Sequence, residues 1–95
     1  MAKEKVMTVN GVKIEESMLQ SAIAEMMNKG SFTASVFEAS LRKNHAFVKH
    51  IIQESNISVD YVIMRVVDRM VQKLRKEGRI AFNKDRREWT VLKKK

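Results

Sequence analysis

Apolar residues between positions 15 and 29 recur every three or four residues, which is the spacing of one face of an α-helix. Glu15 and Glu16 lie where the helix dipole favours acids, and Lys29 lies where it favours a base. Gly30 then supplies a left-handed stop. The pattern predicts a helix over residues 15–29 with these side chains inward: Met18, Leu19, Ala22, Ile23, Met26 and Met27.

A second helical stretch opens near Thr33, with Val36, Phe37, Ser40 and Leu41 inward. Asn44 either caps a new helix or lies inside one long helix, because the apolar stripe fits both arrangements. Lys43, Asn44 and His45 make a poor helix interior, which favours a break at Asn44. The helix after the break has these residues inward: Phe47, Val48, Ile51 and Ile52.

The most complete apolar stripe follows Ser58. That serine is a good N-cap, and Asp60 in the first turn acts favourably on the dipole. The predicted inward side chains are Val59, Val62, Ile63, Val66, Val67, Met70, Val71 and Leu74. At 100° per residue the opposite side carries Tyr61, Met64, Arg65, Asp68, Arg69, Gln72 and Arg75. This polar side faces solvent or a ligand.

Two hairpins are predicted, one near each end of the chain. Asn10-Gly11 is a strong two-residue hairpin signal, although the same residues could form an ordered turn in an arm. In the hairpin register one face carries Met7, Val9, Val12 and Ile14. After Gly78, Ile80 and Phe82 alternate as a strand and are answered by Trp89 and Val91, with a charged turn over residues 83–87 between them.

Charge and composition narrow the classes of function. The formal net charge of +8 indicates a polyanionic partner or an acidic surface. With no cysteine there is no thiolate metal site, and His45 and His50 have the wrong interval for two metal ligands on one helical face. We expect no catalytic residues, no metal and no cofactor. No apolar run reaches about 20 residues and no secretory signal is visible, so we expect no membrane contact and a cytoplasmic or nucleoid-associated protein.

The C-terminal part of the chain resembles a winged helix-turn-helix DNA-binding domain. Val48–Glu54 resembles the first motif helix, Ser55–Ser58 the turn, Val59–Glu77 the recognition helix and Gly78–Leu92 the wing. In a second register, residues 15–29 are the first helix, residues 31–34 a short strand that pairs with the wing, and the helix from Ser35 the second. The turn has Asn56 where many such domains have glycine, and residues 15–54 contain one helix more than the minimal unit.

This resemblance implies a mainly α fold with a small β-hairpin wing, preceded by an additional hairpin or arm and a helix. The expected organisation is an N-terminal segment over residues 1–14, one winged-helix domain over 15–92 and a basic tail over 93–95. The resemblance also implies the recognition-helix contacts Ser58, Tyr61, Met64, Arg65, Asp68, Arg69 and Gln72. The implied wing contacts are Arg79, Lys84, Arg86 and Arg87.

The implied function is sequence-specific binding of double-stranded DNA by a small transcriptional regulator that occupies an operator. One such module buries a modest interface, so a homodimer on paired half-sites is expected, formed through the N-terminal hairpin and the following helix. Charged residues on a helix are also what an ordinary solvated surface looks like. Two other functions therefore stay open: a winged-helix module that binds a protein partner, and a non-specific architectural or RNA-binding protein.

Overall fold

The computed structural model describes residues 6–92, which form four α-helices, one short 3₁₀ helix and five β-strands. The basic tail over residues 93–95 and the first five residues of the N-terminal segment lie outside the described residues. In chain order the elements are β1 (Val6–Val9), β2 (Val12–Glu15), the 3₁₀ helix (Glu16–Leu19), α1 (Gln20–Lys29), β3 (Ser31–Phe32), α2 (Ala34–Arg42), α3 (His45–Glu54), α4 (Val59–Lys76), β4 (Ile80–Asn83) and β5 (Glu88–Val91).

The N-terminal segment is a β-hairpin and part of the packed core. Strands β1 and β2 are antiparallel with Val9 opposite Val12, and both turn residues have positive φ, 50° at Asn10 and 85° at Gly11. Asparagine and glycine are the residues that adopt this left-handed conformation most easily. Val9, Val12 and Ile14 are buried in the same cluster as the helices. The predicted shared face of the hairpin is therefore correct.

The predicted helix over residues 15–29 begins later than its sequence pattern indicates. Glu15 pairs with Val6 in the hairpin ladder, residues 16–19 form the 3₁₀ helix, and the α-helix starts at Gln20. Because the hairpin fixes the backbone of residue 15 as a strand, the local helical pattern is overridden there. The helix ends as predicted at Gly30, whose φ is 81°.

Asn44 separates α2 from α3, as the favoured alternative predicts. Its Oδ1 accepts a hydrogen bond from the Phe47 N–H at 3.2 Å, and Thr33 caps α2 in the same way through the Val36 N–H at 3.2 Å. Val36 and Ile52, both expected inward, are exposed. Each lies one position away from a fully buried residue, Phe37 or Ile51, and these short helices bury a narrower face than the stripe predicts.

Helix α4 lies against α2, α3, β1 and β4 and buries its whole predicted stripe, apart from a partly exposed Val59. Fully burying one such aliphatic side chain is worth about 1.5–3 kcal/mol. The buried residues of α4 are Val62, Ile63, Val66, Val67, Met70, Val71 and Leu74.

The C-terminal hairpin and β3 form a three-stranded antiparallel sheet with strand order β3-β5-β4. Phe82 is opposite Trp89 and Ile80 is opposite Val91, as predicted, and β3 pairs with β5 through Phe32 and Trp89. The strand near residues 31–34 expected in the second register is thus present over Ser31–Phe32. The described residues form a small, mainly helical α+β domain with two small antiparallel sheets. None of its helices is both long enough and apolar enough to span a membrane.

Candidate nucleic-acid interface

The exposed face of α4 is the first part of the candidate interface. All seven residues predicted for the recognition helix are exposed to solvent, from Ser58 to Gln72. Ser58 occupies the N-cap position, but its side chain makes no cap hydrogen bond; only its carbonyl oxygen accepts from the Val62 N–H at 3.1 Å. The expected side-chain cap is therefore absent: the Ser58 hydroxyl makes no hydrogen bond to the first turn of α4.

Two arginines near the start of α4 have different surroundings. The Arg42 Nε donates to Asp60 Oδ1 at 2.9 Å, and Arg42 Nη2 lies 3.5 Å from Glu38 Oε1. This exposed pair links the end of α2 to Asp60 in the first turn of α4, next to Tyr61. Arg65 has no ion-pair partner within residues 6–92. Its guanidinium is therefore available to an external acceptor.

The C-terminal half of α4 carries most of the positive charge of the helix. Arg75 donates to Gln72 Oε1 through Nε at 3.2 Å and through Nη2 at 3.0 Å, so these two side chains are held together on the surface. Lys73 pairs with Glu16 of the 3₁₀ helix and is partly buried. Arg69 and Lys76 are exposed and make no ion pair with another described residue.

The turn of the C-terminal hairpin is held by Asn83, which presents the cations beside it. Asn83 Oδ1 accepts from the backbone N–H groups of Asp85 at 3.0 Å and Arg86 at 3.2 Å. Arg86 lies 3.9 Å from Glu88 with 76% of its side chain exposed, so this contact is a weak surface pair. Lys84 and Arg87 are exposed and without an ion pair in the described part of the chain.

Arg87 has a left-handed backbone conformation, with φ at 55°. For a residue with a Cβ this conformation costs about 1–2 kcal/mol, which is why glycine or asparagine usually occupies it. Nothing in the fold of the hairpin requires an arginine at this position. A residue that local conformation disfavours points to a use for its side chain outside the fold.

Arg79, at the base of the hairpin, is also exposed and lies 3.8 Å from Glu77 Oε1. All four cations predicted for the wing are thus on the surface. The sequence pattern places Phe82 in the strand opposite Trp89 but does not indicate its exposure: it is 49% exposed and makes an edge contact with Trp89 at a centroid distance of 5.1 Å. Phe82 alternates with Ile80 along β4, as the pattern predicts. Ile80 is buried in the core, whereas Phe82 lies nearer the turn and is exposed.

Positive charge is concentrated in the C-terminal part of the described chain. Residues 6–57 contain five Lys and Arg against five Asp and Glu, whereas residues 58–92 contain nine against five. The entire net positive charge of the described residues therefore comes from α4 and the hairpin that follows it. Such a concentration of positive charge in one part of the chain is typical of a segment that binds a polyanion.

His45 and His50 do not form a ligand group. The His50 Nε2 is 2.7 Å from the backbone oxygen of Lys13 and links α3 to β2, while His45 is exposed. Within residues 6–92 there is no group of three His, Cys, Asp or Glu side chains placed to hold a metal ion.

Comparisons of the chain with protein-family models, with curated proteins and with solved structures gave no match.

Proposed function

We propose that this chain is a winged helix-turn-helix protein that binds double-stranded DNA sequence-specifically and regulates transcription by occupying an operator. The observation that carries the proposal is the concentration of net positive charge in residues 58–92, on one exposed helix face and the basic hairpin that follows it. In this proposal α3 and α4 are the helix-turn-helix pair, and β4, β5 and their turn are the wing.

The order of elements supports the proposal. A helix, a short strand, further helices and a two-stranded hairpin follow one another, and the short strand pairs with the second strand of the hairpin. One helix more than the minimal unit lies between β3 and β4. The glycine missing from the turn is no obstacle, because no residue from 55 to 58 has positive φ and Ser55 Oγ accepts from the Ile57 N–H at 2.9 Å.

The dimensions of the DNA grooves determine which residues contact bases and which contact the backbone. A B-DNA major groove about 12 Å wide admits one α-helix, so the first turns of α4 face base edges, and Arg65 is the residue suited to a guanine. Arg69, Gln72 and Arg75 contact phosphates and fix the position of the helix without reading sequence. The cations Arg79, Lys84, Arg86 and Arg87 contact the adjacent backbone or minor groove.

A selection from random duplexes, run beside single-stranded DNA and RNA competitors, tests this function. We expect a recovered duplex motif with a symmetry that reports two copies of the chain. We also expect log K to fall with log salt with a slope that corresponds to about 4–8 phosphates. Equal retention of every nucleic acid would favour an architectural role instead.

Arg65→Ala tests the reading face of α4. We expect it to flatten the sequence preference at one base pair, at a cost of about 1–3 kcal/mol on the preferred site. Lys29→Ala is the matched control, because it removes one exposed cation outside residues 58–92 and should leave the preference intact. A preference unchanged by Arg65→Ala would show that the reading face is assigned wrongly.

A second candidate function is binding of a protein partner. The observation that favours it is the exposure of Ile52 on α3, which is 59% exposed and lies outside the residues proposed to bind DNA. The Ile52→Ser variant should bind duplex DNA as tightly as the unchanged chain, since DNA binding through α4 and the hairpin does not need that side chain. Absence of duplex retention at moderate salt would favour the protein partner.

A further inference from the structure

Exposed apolar side chains gather at the beginning of α4 and nowhere else on its outer face. Ile57 is 41% exposed, Tyr61 44% and Met64 46%. Tyr61 and Met64 are three residues apart and therefore neighbours on the helix surface, and Arg65 lies one turn from Tyr61. From residue 65 to the helix end, the exposed residues are all polar or charged: Arg65, Asp68, Arg69, Gln72, Arg75 and Lys76.

Packing does not explain this patch. The buried side of α4 is already a complete apolar stripe, and Tyr61 and Met64 are not among the residues buried in the core or packed against it. A polar residue at either position would leave the stripe intact and improve the solvation of the helix. Ile57 directly precedes the N-cap residue Ser58, and its backbone N–H donates to Ser55 Oγ at 2.9 Å.

The major groove contains one strongly apolar group, the C5 methyl of thymine. Cytosine has a hydrogen at the same position, so an apolar side chain there distinguishes T·A from C·G. Asp60, the nearest acid to Tyr61 along the chain, is engaged by Arg42 at 2.9 Å. The first turns of α4 therefore offer an apolar surface and one unpaired guanidinium, Arg65.

We propose that Ile57, Tyr61 and Met64 contact thymine methyl groups next to a guanine contacted by Arg65. This inference rests on the proposed DNA-binding function and makes it more specific. The preferred half-site then contains two or three thymines within a few base pairs of one guanine. Burial of one methyl-sized group corresponds to about a fourfold gain in affinity for each contacted thymine.

Replacement of thymine by deoxyuridine provides the test, because it removes the methyl group and keeps the base pair. Each thymine of the selected duplex is replaced in turn, and the affinity of the full chain is measured at constant salt. We expect two or three positions to lose about fourfold each, and positions outside the half-site to lose nothing.

The side chains are assigned by combining these duplexes with Tyr61→Ser, Met64→Ser and Ile57→Ser. Each variant should abolish the deoxyuridine effect at one position only, whereas Ile52→Ser, which removes an exposed apolar residue of α3, should abolish none. Circular dichroism of each variant checks that the fold is unchanged. A variant that unfolds is replaced by a milder change at the same residue, such as Met64→Gln or Tyr61→His.

Three results would overturn the inference. If the chain binds duplexes but every deoxyuridine duplex binds as tightly as its parent, methyl contact is refuted while the proposed DNA binding stands. If the serine variants bind all duplexes like the unchanged chain, the patch serves a different partner, such as a protein. If no duplex is bound at all, the proposed function fails together with the inference.

Discussion

The two β-hairpins within residues 6–92 are built alike but have different surroundings. Each has a pair of four-residue antiparallel strands, β1 with β2 and β4 with β5. In the N-terminal hairpin Val9, Val12 and Ile14 are buried, and the turn is the uncharged pair Asn10-Gly11. In the C-terminal hairpin only Ile80 is buried, and the turn carries three cations.

The left-handed turn residues express the same difference. In the N-terminal hairpin they are an asparagine and a glycine, the residues that local conformation prefers. In the C-terminal hairpin the left-handed residue is Arg87, which local conformation disfavours. The first turn is optimised for folding, whereas the second keeps a cation at some cost in stability. This contrast separates a structural hairpin from one that we propose binds DNA.

The largest expected effect concerns the structural role of the N-terminal hairpin. Ile14→Ala should lower the free energy of unfolding by about 2–5 kcal/mol, because Ile14 is fully buried and its truncation leaves a cavity. Phe82→Ala, in the C-terminal hairpin, should cost less, because Phe82 is 49% exposed and its edge contact with Trp89 contributes only about 0.5–1.5 kcal/mol. Urea unfolding followed by far-UV circular dichroism measures both. An equal cost for the two variants would contradict the distinction between the hairpins.

The next effect concerns DNA affinity. The double variant Arg86→Glu/Arg87→Glu should weaken binding to all duplexes by about ten- to a hundredfold at moderate salt and reduce the salt slope by about 2. The matched control is Lys13→Glu/Lys29→Glu, which changes the net charge equally at two exposed positions outside residues 58–92. Filter binding over a salt series measures both. A control that loses as much affinity would show that only overall charge matters.

Much of the fold could be predicted because its signals are local. Gly30, Asn44 and Asn10-Gly11 mark boundaries through backbone conformation and capping, and α4 shows a complete stripe. The start of α1 and the exposure of Val36 and Ile52 could not be predicted in this way. They depend on which neighbouring element covers a residue, and the hairpin that fixes Glu15 as a strand overrides the helical pattern there.

The candidate interface could also be predicted only in part from the sequence. Projection of α4 identifies its exposed side, because one face of the helix is completely apolar. The pairs Arg42–Asp60 and Lys73–Glu16 join residues 18 and 57 positions apart, and no local pattern predicts which cations such pairs occupy. The positive φ of Arg87 could not be predicted either, because a sequence of charged turn residues fits several turn types.

The smallest expected effect tests the contrast between the two turns most directly, because folding and binding should change in opposite directions. Arg87→Gly should raise the free energy of unfolding by about 0.5–1 kcal/mol, since glycine relieves the left-handed strain but gains entropy in the unfolded chain. The same variant should reduce the salt slope of duplex binding by about 1, because one phosphate contact is lost. Thermal unfolding and a salt titration measure the two quantities.

Asn10→Gly is the control for this prediction, because it also places a glycine at a left-handed turn position, in the other hairpin. It should change neither the stability nor the affinity by much, since asparagine already suits that turn. If Arg87→Gly raises stability and leaves the salt slope unchanged, the arginine does not contact the duplex. If the variant lowers stability instead, its side chain supports the hairpin itself, and the strained conformation of Arg87 is no argument for binding.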